Sequence, residues 1–288
     1  VTRVADYLDL VRAPASLTVL GDALVGALSA RRPGRESLAC TGALATSSVC
    51  LYSAGMALND WADADLDALE RPERPIPSGR ITRSRALAVG AGLTVVGVGS
   101  AFAAGRASGA VSLALAGALW AYDLVFKSTA AGPVVMAVCR GLDVMMGASG
   151  PGWRGALLPA SAVAVHTIAV TAVSRGEVDG STRVTGGAAV AASVAVAASA
   201  LAGSGDRAAA ALGGARYLSA VLPGYLAVAD DAGAANARNA TRAGIRAVVP
   251  LQSALAARAG SPIATIALLG VEVVGRLLGR RRSRGDIT

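Results

Sequence analysis

Of 288 residues, 53% are hydrophobic and only 16% charged, with a mean hydropathy of +0.53, against roughly 25% charged residues in a soluble domain. A simple soluble enzyme is thereby excluded. So is a single-anchor protein, because uncharged runs of bilayer-spanning length occupy 37–58, 86–105, 155–174 and 184–205. The net charge of +8 comes from arginines scattered between apolar segments, the distribution of loop charges that orient membrane helices and not that of a nucleic-acid-binding stripe.

In chain order, apolar segments fall at 13–31, 37–58, 85–105, 108–126, 130–149, 155–174, 184–204, 208–229, 243–258 and 261–279. In the first, Asp22 interrupts the run, so it reads as a membrane helix and not as a signal peptide. Nine segments have clear helical character. The one at 243–258 carries Arg246, Pro250, Gln252 and Arg258 and reads as a span, a half-helix or an interfacial element. No alternating strand pattern is present, and an open sheet edge cannot be satisfied in hydrocarbon. The expected fold is therefore an all-α polytopic bundle of nine or ten transmembrane helices, forming one domain over residues 1–288. Cys40, Cys50 and Cys139 lie within apolar runs, with no metal-binding or disulfide spacing.

With the N-terminal end cytoplasmic, the N-terminal stretch and the even-numbered connections hold twelve Arg or Lys, against six on the other side. The tail arginines, Arg276, Arg280, Arg281, Arg282 and Arg284, join the cytoplasmic side if the number of crossings is even.

Chemistry concentrates in the second connection. Six of the nineteen acidic residues lie between Asn59 and Glu73. At 100° per residue Asn59, Asp60, Asp63 and Asp67 share one quarter of a helix, while Asp65 faces away. Such a carboxylate face repels itself unless a cation neutralises it, and hard oxygen ligands suit Mg²⁺ held together with substrate phosphates. Arg71 and Arg74 lie just beyond it. Lys127 is the single lysine among 27 basic residues. A compact ammonium at Lys127 and a forked guanidinium at Arg140 both suit phosphate oxygens. Charges inside apolar segments usually face a cavity or a partner. Arg140 and Asp143 are spaced to pair with each other or to bind a substrate, Asp22 is a candidate acceptor-site residue, and Arg216 and Glu272 read as snorkelling near helix ends. His166, the only histidine, reads more readily as a hydrogen-bonded packing residue than as a base.

The pattern Asn59-Asp60-x-x-Asp63-x-x-x-Asp67, followed by Arg71-Pro72-x-Arg74-Pro75-Ile76-Pro77-Ser78-Gly79 and then by Tyr122, Lys127, Gly132-Pro133 and Arg140-Gly141-Leu142, resembles the UbiA family of intramembrane prenyltransferases. The resemblance implies a mostly nine-helix bundle with a cavity opening to lipid. It also implies Mg²⁺-dependent transfer of an isoprenyl group from a prenyl diphosphate to a ring or polyol acceptor, such as a quinone precursor or a cyclitol. Asp60, Asp63, Asp67 and Glu177 would hold metal, and Asp60, Asp63, Asp67 and Lys127 would be catalytic. Asn59, Arg71, Arg74, Tyr122, Arg140, Arg175 and Glu177 would contact substrate. The sixth connection departs from the family pattern. Ser174-Arg175-Gly176-Glu177-Val178-Asp179 keeps one well-placed carboxylate, as in a bacterial subgroup, and Arg175 could supply positive charge where a second metal would sit. The partners expected are a prenyl diphosphate, a small acceptor and the lipid bilayer. The location implied is a bacterial plasma membrane, with the catalytic loops cytoplasmic. A transporter subunit, or a catalytically reduced binding member of the same fold, is the alternative.

Overall fold

A computed structural model describes residues 3–30, 38–203 and 205–282, and of Leu17 and residues 274–282 the backbone alone. Arg31, Arg32, Arg35, Arg284 and the side chains of Arg276 and Arg280 to Arg282, all of which bear on orientation, lie outside the described residues. The described residues form helices and no strands. After a short α1 (Val4–Leu10) come α2 (Leu20–Ser29), α3 (Leu38–Ala62), α4 (Ala64–Glu70), α5 (Arg83–Ala104), α6 (Arg106–Ala121) and α7 (Gly132–Ala148). They are succeeded by α8 (Leu157–Ser174), α9 (Arg183–Ser199), α10 (Arg207–Asp230), α11 (Ala234–Arg258) and α12 (Pro262–Arg282).

Each of the ten apolar segments contains a helix. Those of Leu38–Ala62, Arg83–Ala104, Arg106–Phe126 and Trp153–Ser174 are long and apolar enough to cross a membrane, whereas Leu20–Ser29, Arg183–Ser199 and Pro262–Val273 are shorter apolar stretches. Large apolar side chains such as Val95, Val96, Leu113, Val134, Val184 and Ile266 are exposed on the outer faces, a surface suited to lipid rather than water.

Polar residues start several helices where the sequence turns. The Thr82 hydroxyl accepts from the Arg85 backbone N–H at 3.3 Å, and Asp206 accepts from that of Ala209 at 3.0 Å. Each such cap satisfies an amide that the helix leaves unpaired.

Helices consecutive in the chain pack side by side from α5 to α12, α3 packs on α5, and α2 touches α3, α7, α8 and α11. The two larger apolar cores are shared, one by α2, α3, α5, α6 and α7 and the other by α2 and α7 to α12. The α2–α7 pair is the seam between them. A Cβ on Gly26 would strike the Val144 carbonyl, and one on Gly147 would strike the Ala23 carbonyl, so glycine is what lets the two backbones meet.

The segment at 243–258 is not a separate half-helix. It is the second half of the unbroken α11, and every residue from Ala247 to Ala257 is buried, Pro250 included. A proline inside a helix costs about 3 kcal/mol; burial on all sides offsets that cost here, and the polar Gln252 in this run is buried with its apolar neighbours.

Candidate active site

α3 ends at Ala62, and Asp63 adopts φ −89°, ψ 6° before α4 begins. The hydrogen-bond register nevertheless runs through the break: Asp63 donates its amide to Asn59 O at 2.9 Å, Asp67 to Asp63 O at 2.8 Å, and Arg71 to Asp67 O at 2.8 Å. Helical phase is thus retained. Asp60 and Asp67 are buried, whereas the Asp65 side chain is 89% exposed and pairs outward with Arg83 at 3.2 Å.

Each inward carboxylate meets a cation. Arg74 braces two of them, reaching Asp67 at 2.6 Å and Asp60 at 3.3 Å, and Arg71 stands 3.7 Å from Asp67. Lys127 contacts Asp63 at 2.5 Å. Its position is set by one turn of π-helix, Tyr122–Phe126, in which the Lys127 amide donates to Tyr122 O at 2.9 Å. Such turns shift the register of the residues after them and recur at functional sites. The same turn buries Asp123, which accepts from Asn59 Nδ2 at 3.4 Å.

Sequence reasoning missed Arg12. It donates to Asp60 Oδ1 at 3.0 Å and lines the cavity beneath this rim. Among the described residues Arg12 is the one non-glycine with positive φ, at 48°, a conformation that costs roughly 1–3 kcal/mol and clusters at functional sites. Its sequence signal was slight: an arginine just before the first apolar run, indistinguishable from an orienting loop charge. Arg80 straps this N-terminal segment down, reaching Asp6 at 3.1 Å, Asp9 at 3.0 Å and Glu73 O at 2.9 Å. The turn before it needs Gly79, at φ 73°. The Arg3 backbone N–H, donated to Asp6 at 2.7 Å, and the Arg80 guanidinium hold the Asp6 carboxyl below the usual carboxylate range.

Below the rim lies a cavity of about 420 Å³. Its outer wall includes Asn59, Tyr122, Asp123, Ser174 and Glu177; its middle is largely apolar, with Leu51, Met56, Leu119, Met136 and Val170; and a second polar group, Ser48, Arg140, Asp143, His166 and Thr167, lines it further in. On α3 the two polar levels, Ser48 and Asn59, are about 16 Å apart.

Several expectations need correction. Arg140 pairs with Asp22 at 2.9 Å and not with Asp143, which accepts instead from the Ser48 hydroxyl at 2.5 Å. Gln252 on α11 donates to Asp22 at 2.6 Å and to Thr18 O at 2.8 Å. Arg216 and Glu272 do not merely snorkel; they pair at 2.8 Å between α10 and α12. Arg175 directs its guanidinium to the carbonyls of Thr129, at 2.7 Å, and Ser128, at 3.4 Å, so it clamps the loop after Lys127. Glu177 lines the cavity, and its backbone carbonyl accepts from Arg238 at 2.6 Å. Among the described residues no three His, Cys, Asp or Glu side chains, the three aspartates included, already converge as a metal-holding group. His166 shares a hydrogen bond with the Tyr217 hydroxyl at 3.0 Å within the core.

The aspartates still suit a hard divalent cation in their donor chemistry. Asp67 Oδ1 is buried without a hydrogen bond, its contact to the Arg71 guanidinium being a long 3.7 Å, and a buried carboxylate oxygen so placed has capacity left for Mg²⁺ or an additional cation.

A helical membrane bundle with an acid- and cation-rich rim over an apolar-waisted cavity defines the class. Residues 19–177, more than half of the chain, match the model of the UbiA prenyltransferase family, and the chain belongs to that family. It is similar to the digeranylgeranylglyceryl phosphate synthase of Ignicoccus hospitalis, 36% identical over 124 residues that make up 43% of this chain and 39% of that protein. It also resembles the protoheme IX farnesyltransferase of Paracoccus denitrificans, 40% identical over 109 residues, 35% of each chain. These alignments thus span well under two thirds of those relatives' own length. In fold the chain matches a UbiA homologue from Aeropyrum pernix K1, with a TM-score of 0.66 at 20% identity over 83% of this chain and 96% of that one. It also matches one from Archaeoglobus fulgidus bound to GPP and Mg²⁺, with a TM-score of 0.54 at 14% identity over 94% and 99%.

Proposed function

We propose that the protein transfers an isoprenyl group from a prenyl diphosphate to a ring or polyol acceptor, with Mg²⁺, inside a membrane whose cytoplasmic face carries the rim. The observation that carries this reading is the rim itself: Asp60, Asp63 and Asp67 interleaved with Arg12, Arg71, Arg74 and Lys127 over an apolar-waisted cavity.

In this reading Asp60, Asp63 and Asp67 hold Mg²⁺, which when bound neutralises diphosphate oxygens and so eases departure of the leaving group. The chain's own cations do the remainder. Arg74 and Lys127, which pair with carboxylates in the structure, exchange them for phosphate oxygens, where fixed positive charge in a dry site stabilises the charge that develops as the allylic C–O bond breaks. Asn59 orients Asp123, Arg175 fixes the loop that presents Lys127, and the apolar waist takes the hydrocarbon tail and excludes water. Transport does not account for a carboxylate face so closely matched by guanidinium and ammonium groups.

Transfer of labelled prenyl from its diphosphate, assayed in purified membranes, tests this. Asp63→Asn is expected to cut transfer at least about 100-fold, the scale on which a single charge-stabilising group acts. Wild-type transfer by that variant would remove Asp63 from the metal set.

A further inference from the structure

We infer that the acceptor of this reaction is an uncharged, hydroxyl-bearing molecule and not a carboxylate- or phosphate-bearing one. The inference rests on the prenyl-transfer reading and adds the charge class of the second substrate.

It comes from pairing each charge on the cavity wall with its partner. Two cationic side chains of Arg or Lys line the cavity, Arg12 and Arg140. Both are already matched by buried carboxylates behind the wall: Arg12 by Asp60 at 3.0 Å and Arg140 by Asp22 at 2.9 Å. Three carboxyl groups, Asp123, Asp143 and Glu177, also line the cavity, and none has an ion-pair partner among the described residues. Asp123 is matched by the Asn59 amide and Asp143 by the Ser48 hydroxyl, both neutral donors. The other cations near the site, Arg71, Arg74 and Lys127, sit on the rim, paired with Asp67, Asp60 and Asp63.

An anionic acceptor entering beneath a diphosphate would therefore meet, at the inner level, one guanidinium already paired with Asp22 and carboxyl groups in surplus. In a low-dielectric site that repulsion is little screened. A hydroxyl meets the reverse situation. Its proton is donated to a carboxyl oxygen of Asp143, and its oxygen accepts from guanidinium N–H groups of Arg140, whose contacts to Asp22 and Thr18 O both run through Nη2. Ionised, the three carboxyl groups repel an anion, whereas a neutral hydroxyl offers no charge for them to repel. Discrimination by unmatched charge is a common way for a site to reject a near-isostere.

The test uses the full chain in lipid nanodiscs with Mg²⁺ and a thiolo analogue of a prenyl diphosphate that does not react. Binding is measured for two matched probe pairs, myo-inositol against myo-inositol 1-phosphate and hydroquinone against 4-hydroxybenzoate. The neutral member of at least one pair is expected to bind at least about tenfold tighter than its anionic counterpart. Asp22→Asn, which is close to isosteric and uncovers the Arg140 charge, is expected to shrink that ratio at least tenfold. Tighter binding of the anion in either pair, a ratio below tenfold in both, or no binding of either neutral probe overturns the inference. An unchanged ratio in Asp22→Asn overturns the role of the Arg140–Asp22 pair. A parallel incubation with reactive donor keeps the two readings apart: neutral probes that bind but yield no prenylated product contradict transfer and leave the charge preference standing.

Discussion

The two polar levels of the cavity are built on opposite plans. At the rim, all three aspartates and two of the four cations come from neighbouring stretches of chain, α3, α4 and the turns after them, with Asp67 and Arg74 seven residues apart in sequence and 2.6 Å apart in space; Arg12 and Lys127 join them from further away. Further in, Asp22, Arg140 and Gln252 come from α2, α7 and α11, and the Gln252–Asp22 bond joins residues 230 positions apart. The rim carries more cations than it has buried carboxylates to satisfy and can exchange partners with a ligand. The inner set ties three helices together, with the Asp22 side chain fully buried. One level is equipped to bind an anion, the other to hold three helices in register.

If that contrast is right, perturbing the inner level should cost stability and perturbing the rim should cost activity. The largest stability effect is expected from Arg140→Met, which strands the Asp22 carboxylate: about 3 kcal/mol, seen as a lower midpoint in thermal unfolding in detergent, with Asp22→Asn added to the same chain recovering part of it. Gly147→Val comes next, at roughly 2 kcal/mol, because a side chain there must push α7 away from α2; an unchanged midpoint would mean the seam tolerates separation. Arg12→Gln should leave the midpoint unmoved and raise the donor KM about tenfold, equivalent to about 1.4 kcal/mol. A lower midpoint with unaltered kinetics would instead make Arg12 structural.

The smallest effect is one of pH. Asp6 has a carboxyl held below its ordinary range by the Arg3 amide and Arg80, so its contribution to docking α1 is fully present above the usual carboxylate pKa. It is lost as pH falls through the lowered value. Hydrogen-exchange protection factors of residues 3–12, corrected for the intrinsic pH dependence of exchange, should therefore be constant from pH 7 to about 5 and fall only below the unperturbed aspartate pKa of about 3.9. A loss of protection near neutrality would contradict the Arg80 strap.

The same contrast separates the parts of the molecule that were legible in the sequence from those that were not. The rim was readable because its chemistry repeats at helical spacing within one short segment: the inward phase of Asp60, Asp63 and Asp67 and the outward phase of Asp65 needed only 100° per residue. The break at Asp63 did not spoil the reading because the i to i+4 bonds cross it. The inner network was not readable. Arg140 and Asp143 are three residues apart on one helix and looked like partners, yet the wrap of α2 against α7 gives Arg140 to Asp22 and Asp143 to Ser48. Gln252 went unremarked as a ligand of Asp22 because its segment looked too polar to be central, and the second half of α11 proved to be buried on all sides. Arg12 was missed because its importance lies in backbone geometry that no spacing reveals.

The central claim is that the rim acts on a diphosphate through a divalent cation. Transfer of a labelled prenyl group by the purified full chain in lipid, measured with Mg²⁺, then excess EDTA, then Mg²⁺ restored, addresses it most directly. The account predicts transfer that stops with EDTA and returns with Mg²⁺. Transfer that continues undiminished in EDTA would contradict it.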